Sequence, residues 1–543
     1  MKPAQIKALR KHIAGSITDA KHVRDYFATD GSVFTITPAA VVYPQTVSDV
    51  QAVVAYAAEQ AGKMGKRFSL VARGKGTDLS GGALGNGAMM VFPAHMNRVL
   101  RLTKDTVTVQ PGMTFGALLT LLQTHGRTIP SFPASRDFAS VGGAAANNSA
   151  GQYSGKYGPT AAWIKGLKVV LDDGSLIETR RVSHRELSRK KGLMTREGDL
   201  YRGIDGLLQD HAALIKEAAP QTTKNVAGYQ LSAIRGRDGS IDLTQLFIGA
   251  QGTLGIITEI TFRTMPLEAR KTLLVAHFDS LEKAGEAALK LQKLRPSAME
   301  MVDAHLLAYI RKQHSERLDG IVPETLPKVL MLVEFDNPSH LRQNLLGRRA
   351  ARGLGKLASV LRVTNSASEQ EALWAVRRSA AVVMAAANGS KKALPIIEDA
   401  CVPIAQMSEF LESTYAILRK HKLDIAVWGH VNDANFHLQP FLDLNKAKDR
   451  TLIPKLMDEF YAMVIKLGGT TTGRHGDGLL RAPYLEKLYG KEVYSVLKEV
   501  KEVCDPQGIF NPRAKLGTTK AEQASLLRHE YSLGHLYDHL PYT

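Results

Sequence analysis

Residues Val71–Gly82 read VARGKGTDLSGG, and residues Ser140–Gly158 read SVGGAAANNSAGQYSGKYG. Small side chains leave the backbone N–H groups of both stretches open, as wrapping a pyrophosphate requires. The apolar run Phe68–Ala72 precedes the first stretch, so the chain leaves a buried strand and turns at once around an anion. One glycine-rich loop is weak evidence, because many are plain turns. Two of them, each flanked by strand-like segments, point to a dinucleotide cofactor. The spacing Gly74-x-Gly76-x-x-Leu79 lacks the third glycine of a βαβ fingerprint, and no acidic ribose ligand closes such a unit, which argues against a doubly wound nucleotide site.

Outward from these loops the pattern is mixed α and β. Pro44–Gly62 reads as a helix with Val50, Val53, Val54 and Ala57 on one stripe and Ser48 as its cap. Phe68–Ala72, Met89–Phe92, Thr106–Gln110 and Leu167–Leu171 read as strands, and Phe115–His125 as a helix. Asp172-Asp173-Gly174 is a turn between two apolar strands, and His184–Lys224 a loop-rich or helical excursion. Beyond a boundary near Met265–Lys271, strands (Thr272–Phe278, Lys328–Phe335, Asp424–Trp428) alternate with helices (Leu281–Leu294, Ser408–Lys420). That order implies a second α+β domain built on an antiparallel sheet. Residues 1–35 read as a helical lead-in, with Ile6, Leu9, Ile13 and Ile17 at helical spacing, and Lys520–Thr543 as a polar tail bearing His and Tyr, with no role assigned.

With 543 residues, 44% of them hydrophobic, the chain has the material for two or more cores. No apolar run approaches the roughly 20 residues of a membrane span, and the basic N-terminus lacks the apolar stretch and cleavage site of a secretory signal. The two cysteines, Cys401 and Cys504, exclude a disulfide framework and are too few for an iron–sulfur cluster, so a reducing cytoplasm is the expected compartment. The formal net charge of +18 is spread in small clusters without a nucleic-acid-binding motif. It reads first as a solvated basic surface and second as a face for acidic lipids, with no nucleic-acid partner expected.

The chemical signal lies in Gly429–His437 (GHVNDANFH) and Gly468–Gly478 (GGTTTGRHGDG). The first follows an apolar strand and sets His430 and His437 around Asn435, beside Trp428 and Phe436. The second is a glycine-hinged loop presenting Arg474 and His475.

Arg73–Asp78 (RGKGTD), Pro133–Gly143 (PASRDFASVGG) and Leu246–Thr258 (LFIGAQGTLGIIT) resemble the flavin domain of the vanillyl-alcohol oxidase superfamily. The resemblance runs from about Ile36 to Gly517 and is strongest to its FAD-linked D-2-hydroxy-acid dehydrogenases, the branch of D-lactate dehydrogenase and the glycolate oxidase flavin subunit. It implies an α+β chain: a PCMH-type FAD-binding domain of two α/β subdomains over 36–267, then a C-terminal FAD-linked oxidase domain over 268–517 whose antiparallel sheet is covered by helices, with 1–35 and 518–543 outside both. It also implies FAD held non-covalently, because Gly76-Thr77-Asp78 stands where some members attach flavin through a His. Arg73, Gly74, Lys75, Gly76, Thr77 and Asp78 would take the pyrophosphate, mainly through backbone N–H. Pro133, Ser135, Ser140, Gly142, Gly143, Asn148 and Gly151 would line the second loop, and Ile257 would meet the isoalloxazine edge. Gln251 replaces the usual Glu.

The family motifs Gly-His-x-Gly-Asp-Gly-Asn-x-His and Gly-Glu-His-Gly-x-Gly imply that His430, His437 and a Glu hold zinc or manganese, with His475 as the base. In this chain the Glu position is Arg474, and Asn432 and Ala434 replace two glycines. A cation beside two imidazoles works against a metal. Two readings stand: a metal completed by Glu398 or Asp399 of Ile396–Pro403, or no metal, with Arg474 neutralising a substrate carboxylate or a developing alkoxide. Arg377, in Leu373–Arg378, matches the arginine that grips the substrate carboxylate. Ile397 replaces a lysine that some relatives use for a second carboxylate, which favours a monocarboxylate. The implied reaction is D-2-hydroxy-acid oxidation, with electrons passed to a quinone, an iron–sulfur protein or another carrier, and with peripheral membrane contact as an accompanying expectation. Another alcohol (aromatic or sugar), an alkyl-glycerone-phosphate synthase-like reaction or a non-catalytic flavin subunit are the competing readings.

Overall fold

Alternation of apolar residues dictates the sheets. In Lys271–Phe278, Leu274, Ala276 and Phe278 enter one core while Leu273 and Val275 enter another. Such period-two burial on both faces requires helices on both sides of the sheet. The computed structural model describes residues 3–64, 68–268, 270–313, 315–337, 339–385, 390–538 and 540. In it this strand belongs to a seven-stranded sheet, in the order Val360–Thr364, Lys271–Phe278, Val329–Asp336, Ala298–Asp303, Ile425–His430, Asn435–Leu442, Lys392–Ala393. Every neighbouring pair is antiparallel. Helices Leu281–Gln292, Met407–Lys420 and Ala447–Lys466 pack on one face, and Ala304–Gln313 and Ala367–Ala385 on the other.

The first half holds two further sheets. Strands Ser16–Thr18, Ala40–Tyr43, Ala88–Val91 and Leu70–Arg73 form one in that order, parallel except at its Ser16–Thr18 edge. Val99–Leu102, Thr106–Val109, Ile256–Arg263, Ile164–Val170 and Leu176–Thr179 form an antiparallel five-stranded sheet. Its Ile164–Thr179 hairpin turns at Gly174, whose φ of +85° matches the Asp-Asp-Gly signal.

Two expectations are corrected. The helix over Val47–Met64 is capped by Thr46, whose Oγ1 accepts the Asp49 N–H at 3.2 Å; Ser48 lies inside the helix. The lead-in is not wholly helical: Ile17 sits in the strand Ser16–Thr18, paired with Tyr43–Val41, after a helix over Pro3–Arg10. The excursion over residues 184–224 takes its helical form, with helices His184–Lys191, Arg196–Asp210 and Ala212–Glu217. Near the end of the chain, Val496, Leu497, Val500 and Cys504 of helix Leu485–Cys504 join the core of the five-stranded sheet. Residue 269 of the expected boundary, and residues 1–2 and 541–543 at the ends, lie outside the described residues.

Candidate functional site

The first glycine-rich loop leaves the sheet at Arg73 and meets the second directly. A Cβ on Gly74 would lie 2.3 Å from the Ser140 Oγ, so only glycine lets the two approach this closely. Ser140 caps helix Val141–Asn147 by accepting the Gly143 N–H at 3.1 Å, while Gly142 abuts Pro111 and Gly151 abuts the Phe132 carbonyl. Asn148 ends that helix at φ +48° and accepts the Ala161 N–H at 2.9 Å. Pro133 and Ser135 lie in the turn before it, the Ser135 carbonyl accepting from Phe138 and Ala139.

Among the described residues, no acceptor takes the backbone N–H of residues 74–78. Five consecutive open donors are a cradle for an anion, and this donor set fits the FAD pyrophosphate. The side chains stand apart from that task. The Arg73 guanidinium is buried behind the loop on the carbonyls of Thr29 (2.8 Å) and Ala83 (3.3 Å). The Asp78 carboxylate accepts from Ser80, Gly82 and Asn147, and Lys75 Nζ turns to the Asp538 carbonyl. Ile257 lies opposite Val169 in the five-stranded sheet, beside a register shift.

The catalytic motifs converge from three segments. The hairpin Ile425–His430/Asn435–Leu442 reverses through Val431–Asp433 and Ala434 at φ +42°, placing the His430 and His437 rings 5.8 Å apart. The loop Gly468–Gly478 adds Arg474 and His475, and Ile396–Pro403 adds Glu398 and Asp399. Asp399 pins the loop by accepting the N–H groups of Arg474 (3.0 Å) and His475 (2.8 Å) and the Thr472 hydroxyl (2.5 Å).

Each of the three imidazoles directs Nδ1 at a carboxylate. His430 bonds Glu300, and His437 and His475 share Glu398 at 3.1 and 2.6 Å. A guanidinium only donates, so the His430 and His437 Nε2 atoms that meet Arg474 are acceptors and their protons sit on Nδ1; on His475 Nδ1 donates to ionised Glu398, and the Nε2 lone pair faces the site. Arg474 takes two of those lone pairs: Nη1 donates to His430 Nε2, and Nη2 to His437 Nε2 at 2.7 Å. His475 Nε2 has no protein partner among the described residues, and its side chain is 20% exposed against 12% for His437 and 3% for His430.

Electrostatics separate the three further. Burial, and then the Arg474 charge, pushes His430 well below the ordinary imidazole range and His437 down to about 4. Burial opposes protonation of His475 too, but the Asp399 and Glu398 carboxylates outweigh it and raise its pKa. His475 and the neighbouring cations hold both carboxylates below their usual range against the effect of burial.

This donor set does not fit the expected metal. Both His430 and His437 have their lone pairs engaged by guanidinium N–H groups, and a metal between them would displace Arg474 or face its charge. Glu398 and Asp399 are committed to the histidines, Arg474 and Arg481, and among the described residues no group of three or more His, Cys, Asp or Glu is arranged for a metal. Of the two readings of these histidines, the geometry favours the one in which Arg474 stands in place of a metal.

Arg377 reaches the site indirectly. Its Nε and Nη2 bond Glu300 at 2.9 and 2.7 Å, and the same carboxylate holds His430, where burial outweighs Arg377 and pushes Glu300 up to about 7. Sequence reasoning missed Glu300, although a lone acid inside the apolar run Ala298–Val302 is a readable signal. It also missed the buried pair Lys224–Asp433, at 2.7 Å. The two halves of the site interlock: Arg474 Nη1 donates to the Ala150 carbonyl at 3.3 Å, and a Cβ on Gly155 would lie 2.5 Å from Asn432. Gln251 spans the first loop and the catalytic loop, donating to Ser80 Oγ at 3.0 Å and accepting the Gly478 N–H at 2.8 Å.

The glycine-loop cradle joins an imidazole site at the edge of an antiparallel sheet. Residues 38–180 match the FAD binding domain family, and residues 267–514 match the C-terminal domain of FAD linked oxidases. The chain thus carries an FAD binding domain followed by an FAD linked oxidase C-terminal domain. It is 28% identical to the glycolate oxidase subunit GlcD of Bacillus subtilis over 482 residues, 88% of either chain. It is 27% identical to a D-2-hydroxyglutarate dehydrogenase of Pantoea ananatis over 531 residues, 94% of this chain and 51% of that protein. The chain thus spans about half the length of the D-2-hydroxyglutarate dehydrogenases it matches. Among solved structures, 4-ethylphenol oxidase from Gulosibacter chungangensis superposes with a TM-score of 0.66 at 17% identity (95% of this chain, 97% of that one). Alkyldihydroxyacetonephosphate synthase superposes at 0.64 and 16% (94% and 86%). Both show the fold alone.

Proposed function

We propose that this chain is an FAD-dependent dehydrogenase that oxidises a small 2-hydroxy monocarboxylic acid, D-lactate- or glycolate-like, to the 2-oxo acid, with His475 as general base. The observation that carries the reading is the Glu398–His475 pair: a carboxylate on Nδ1 orients the ring and leaves the Nε2 lone pair free, while Arg474 occupies the other two imidazoles. His475 Nε2 takes the hydroxyl proton of the substrate, and the positive charge it gains is stabilised by Glu398 and Asp399. FAD held by the amides of residues 74–78 would supply the two-electron acceptance that the oxidation of the Cα–H bond requires.

Arg474 supplies the positive charge beside the developing alkoxide without a metal. Its five N–H donors meet four protein acceptors, Asp399, Ala150, His430 and His437, so one remains for substrate oxygen. Arg377 keeps Nη1 for the substrate carboxylate while Glu300 fixes its other donors. Every site cation already faces a carboxylate: Arg377–Glu300, Arg474–Asp399, Arg481–Glu398 and Lys224–Asp433. One substrate carboxylate fits this balance better than two, because each buried anion needs its own partner. Ile397, fully buried, adds no cation. The electrons would leave for an acceptor other than a nicotinamide nucleotide, such as a quinone reached through the basic surface or a separate iron–sulfur or soluble carrier.

The same balance supports a second reading, an uncharged alcohol. Anaerobic titration of the holoprotein separates them: bleaching of the flavin absorbance by D-lactate or glycolate supports the acid, and bleaching only by aromatic or sugar alcohols replaces it. No bleaching by any of these overturns the enzymatic reading.

A further inference from the structure

The segment beyond Gly517 takes no part in the chemistry above, yet it lies across both cofactor loops. Gln523 anchors its start, donating Nε2 to the carbonyls of Leu479 (3.0 Å) and Leu480 (2.7 Å), just after the His475 loop. Backbone bonds Thr35 N–H to Leu526 O and Arg528 N–H to Val33 O, both 3.0 Å, carry it along the first domain. Tyr531, half-buried, donates its hydroxyl to the Gly31 carbonyl at 2.8 Å.

The chain then turns at Gly534–Leu536 over the pyrophosphate loop. His535 Nε2 lies 3.0 Å from the Gly76 carbonyl, which also accepts the Gly31 N–H at 2.9 Å. Tyr26 OH donates to the His535 carbonyl at 2.9 Å, and Lys75 Nζ to the Asp538 carbonyl at 3.0 Å. The Tyr537 ring meets Phe138, at the entry to the second loop, edge to face with centroids 5.2 Å apart. Burial, then the Arg73 charge, lowers the His535 pKa to about 4. The ring is therefore neutral near pH 7, and its single N–H sits on Nε2, facing the carbonyl.

In a trans peptide the C=O and the following N–H point in opposite directions. Holding the Gly76 carbonyl from the tail side therefore directs the Thr77 N–H to the other side, where residues 74–78 present their open donors. Gly76, at φ +78°, has the backbone freedom to lose this orientation when the contact is removed.

We propose that residues 526–538 form a third wall of the dinucleotide site: a strap that sets the Gly74–Asp78 amides for the pyrophosphate through His535 and ties that loop to the Pro133–Gly143 stretch through Tyr537. The test is release of FAD from the full-length holoprotein, read as the rise of free-flavin fluorescence after dilution. His535→Ala is expected to speed release about tenfold, as loss of one well-placed hydrogen bond implies, and His535→Gln, whose amide donates in its place, to recover most of that. Tyr537→Ala is expected to speed release as well. Its side chain is 75% exposed, so the substitution does not threaten folding. Glu530→Gln, on the exposed side of the strap, serves as control. Release from both His535→Ala and Tyr537→Ala within about twofold of the unmodified protein overturns the proposal, and if His535→Ala does not fold, Tyr537→Ala alone decides it. The measurement requires no substrate, so it stands apart from the identity of the acid.

Discussion

Nη2 of Arg474 lies 2.7 Å from Nε2 of His437, on the lone pair that a metal-ligating imidazole would offer. The guanidinium bridges His430 and His437 and is fixed from behind by Asp399. Activity is therefore expected to withstand exhaustive dialysis against chelator, and elemental analysis of the purified protein to find zinc and manganese far below stoichiometric. Arg474→Glu is expected to reverse both properties. The new carboxylate, with two freed imidazoles, forms the three-ligand set that zinc takes, and turnover without added metal falls by about 100-fold. Stoichiometric metal in the unmodified protein, lost in His437→Ala, would contradict this account.

The Glu398–His475 pair sets a pH dependence. His475 must be neutral to accept a proton, and its pKa is raised above the ordinary imidazole value of about 6.5. As pH falls through that raised value the base becomes protonated, so kcat/KM is expected to decline on an acid limb that begins above about pH 6.5. Glu398→Gln removes a charge that favours the protonated ring and should move the limb to lower pH. His475→Asn should cost about 1,000-fold in kcat and abolish the limb. A pH–rate profile of the three proteins measures all of this.

Much of the architecture was readable from residue spacing, because local periodicity determines it. Strands over 272–278 and 328–335 and helices over 281–294 and 408–420 recur in the structure to within two residues at either end. The glycine loops and the histidine motifs were equally legible, since each is a contiguous string with one physical use. What stayed hidden depends on long-range contacts. Glu300 meets His430 across 130 positions, Arg377 meets Glu300 across 77, and His535 meets Gly76 across 459. No pattern along the chain encodes such meetings, so neither the Glu300 partner of Arg377 nor the docking of the tail was readable.

Gln251 replaces an acid of the resembling family, and its amide uses both ends: Nε2 donates to Ser80 Oγ and lies 3.4 Å from Asp78 Oδ2, while Oε1 accepts the Gly478 N–H. Gln251→Glu loses the donor and sets a second carboxylate against Asp78 in a buried place. A loss of about 1–3 kcal/mol in unfolding free energy is expected. In an Asp78→Asn background the same substitution should cost less, because the repulsion is gone. Denaturant unfolding of the four proteins of this cycle measures the coupling. Equal costs in both backgrounds would show that Asp78 is not the partner that matters.

Lys224 and Asp433 form an ion pair at 2.7 Å with side chains 3% and 4% exposed, and Asp433 also accepts the hydroxyls of Thr223 (2.8 Å) and Ser154 (3.3 Å). It thereby ties the histidine hairpin to Thr223–Lys224 and, through Ser154, to the second glycine-rich stretch. Removing the cation leaves a carboxylate buried with two neutral donors, which do not replace the lost charge. Lys224→Met is accordingly expected to destabilise the protein by about 3–5 kcal/mol. Pairing it with Asp433→Leu removes the stranded charge and should recover a large part of that loss, although the two hydroxyls lose their acceptor. Thermal unfolding of the single and double variants distinguishes the outcomes. A double variant no more stable than Lys224→Met would mean that packing around the hairpin turn, rather than charge pairing, holds the two loops together.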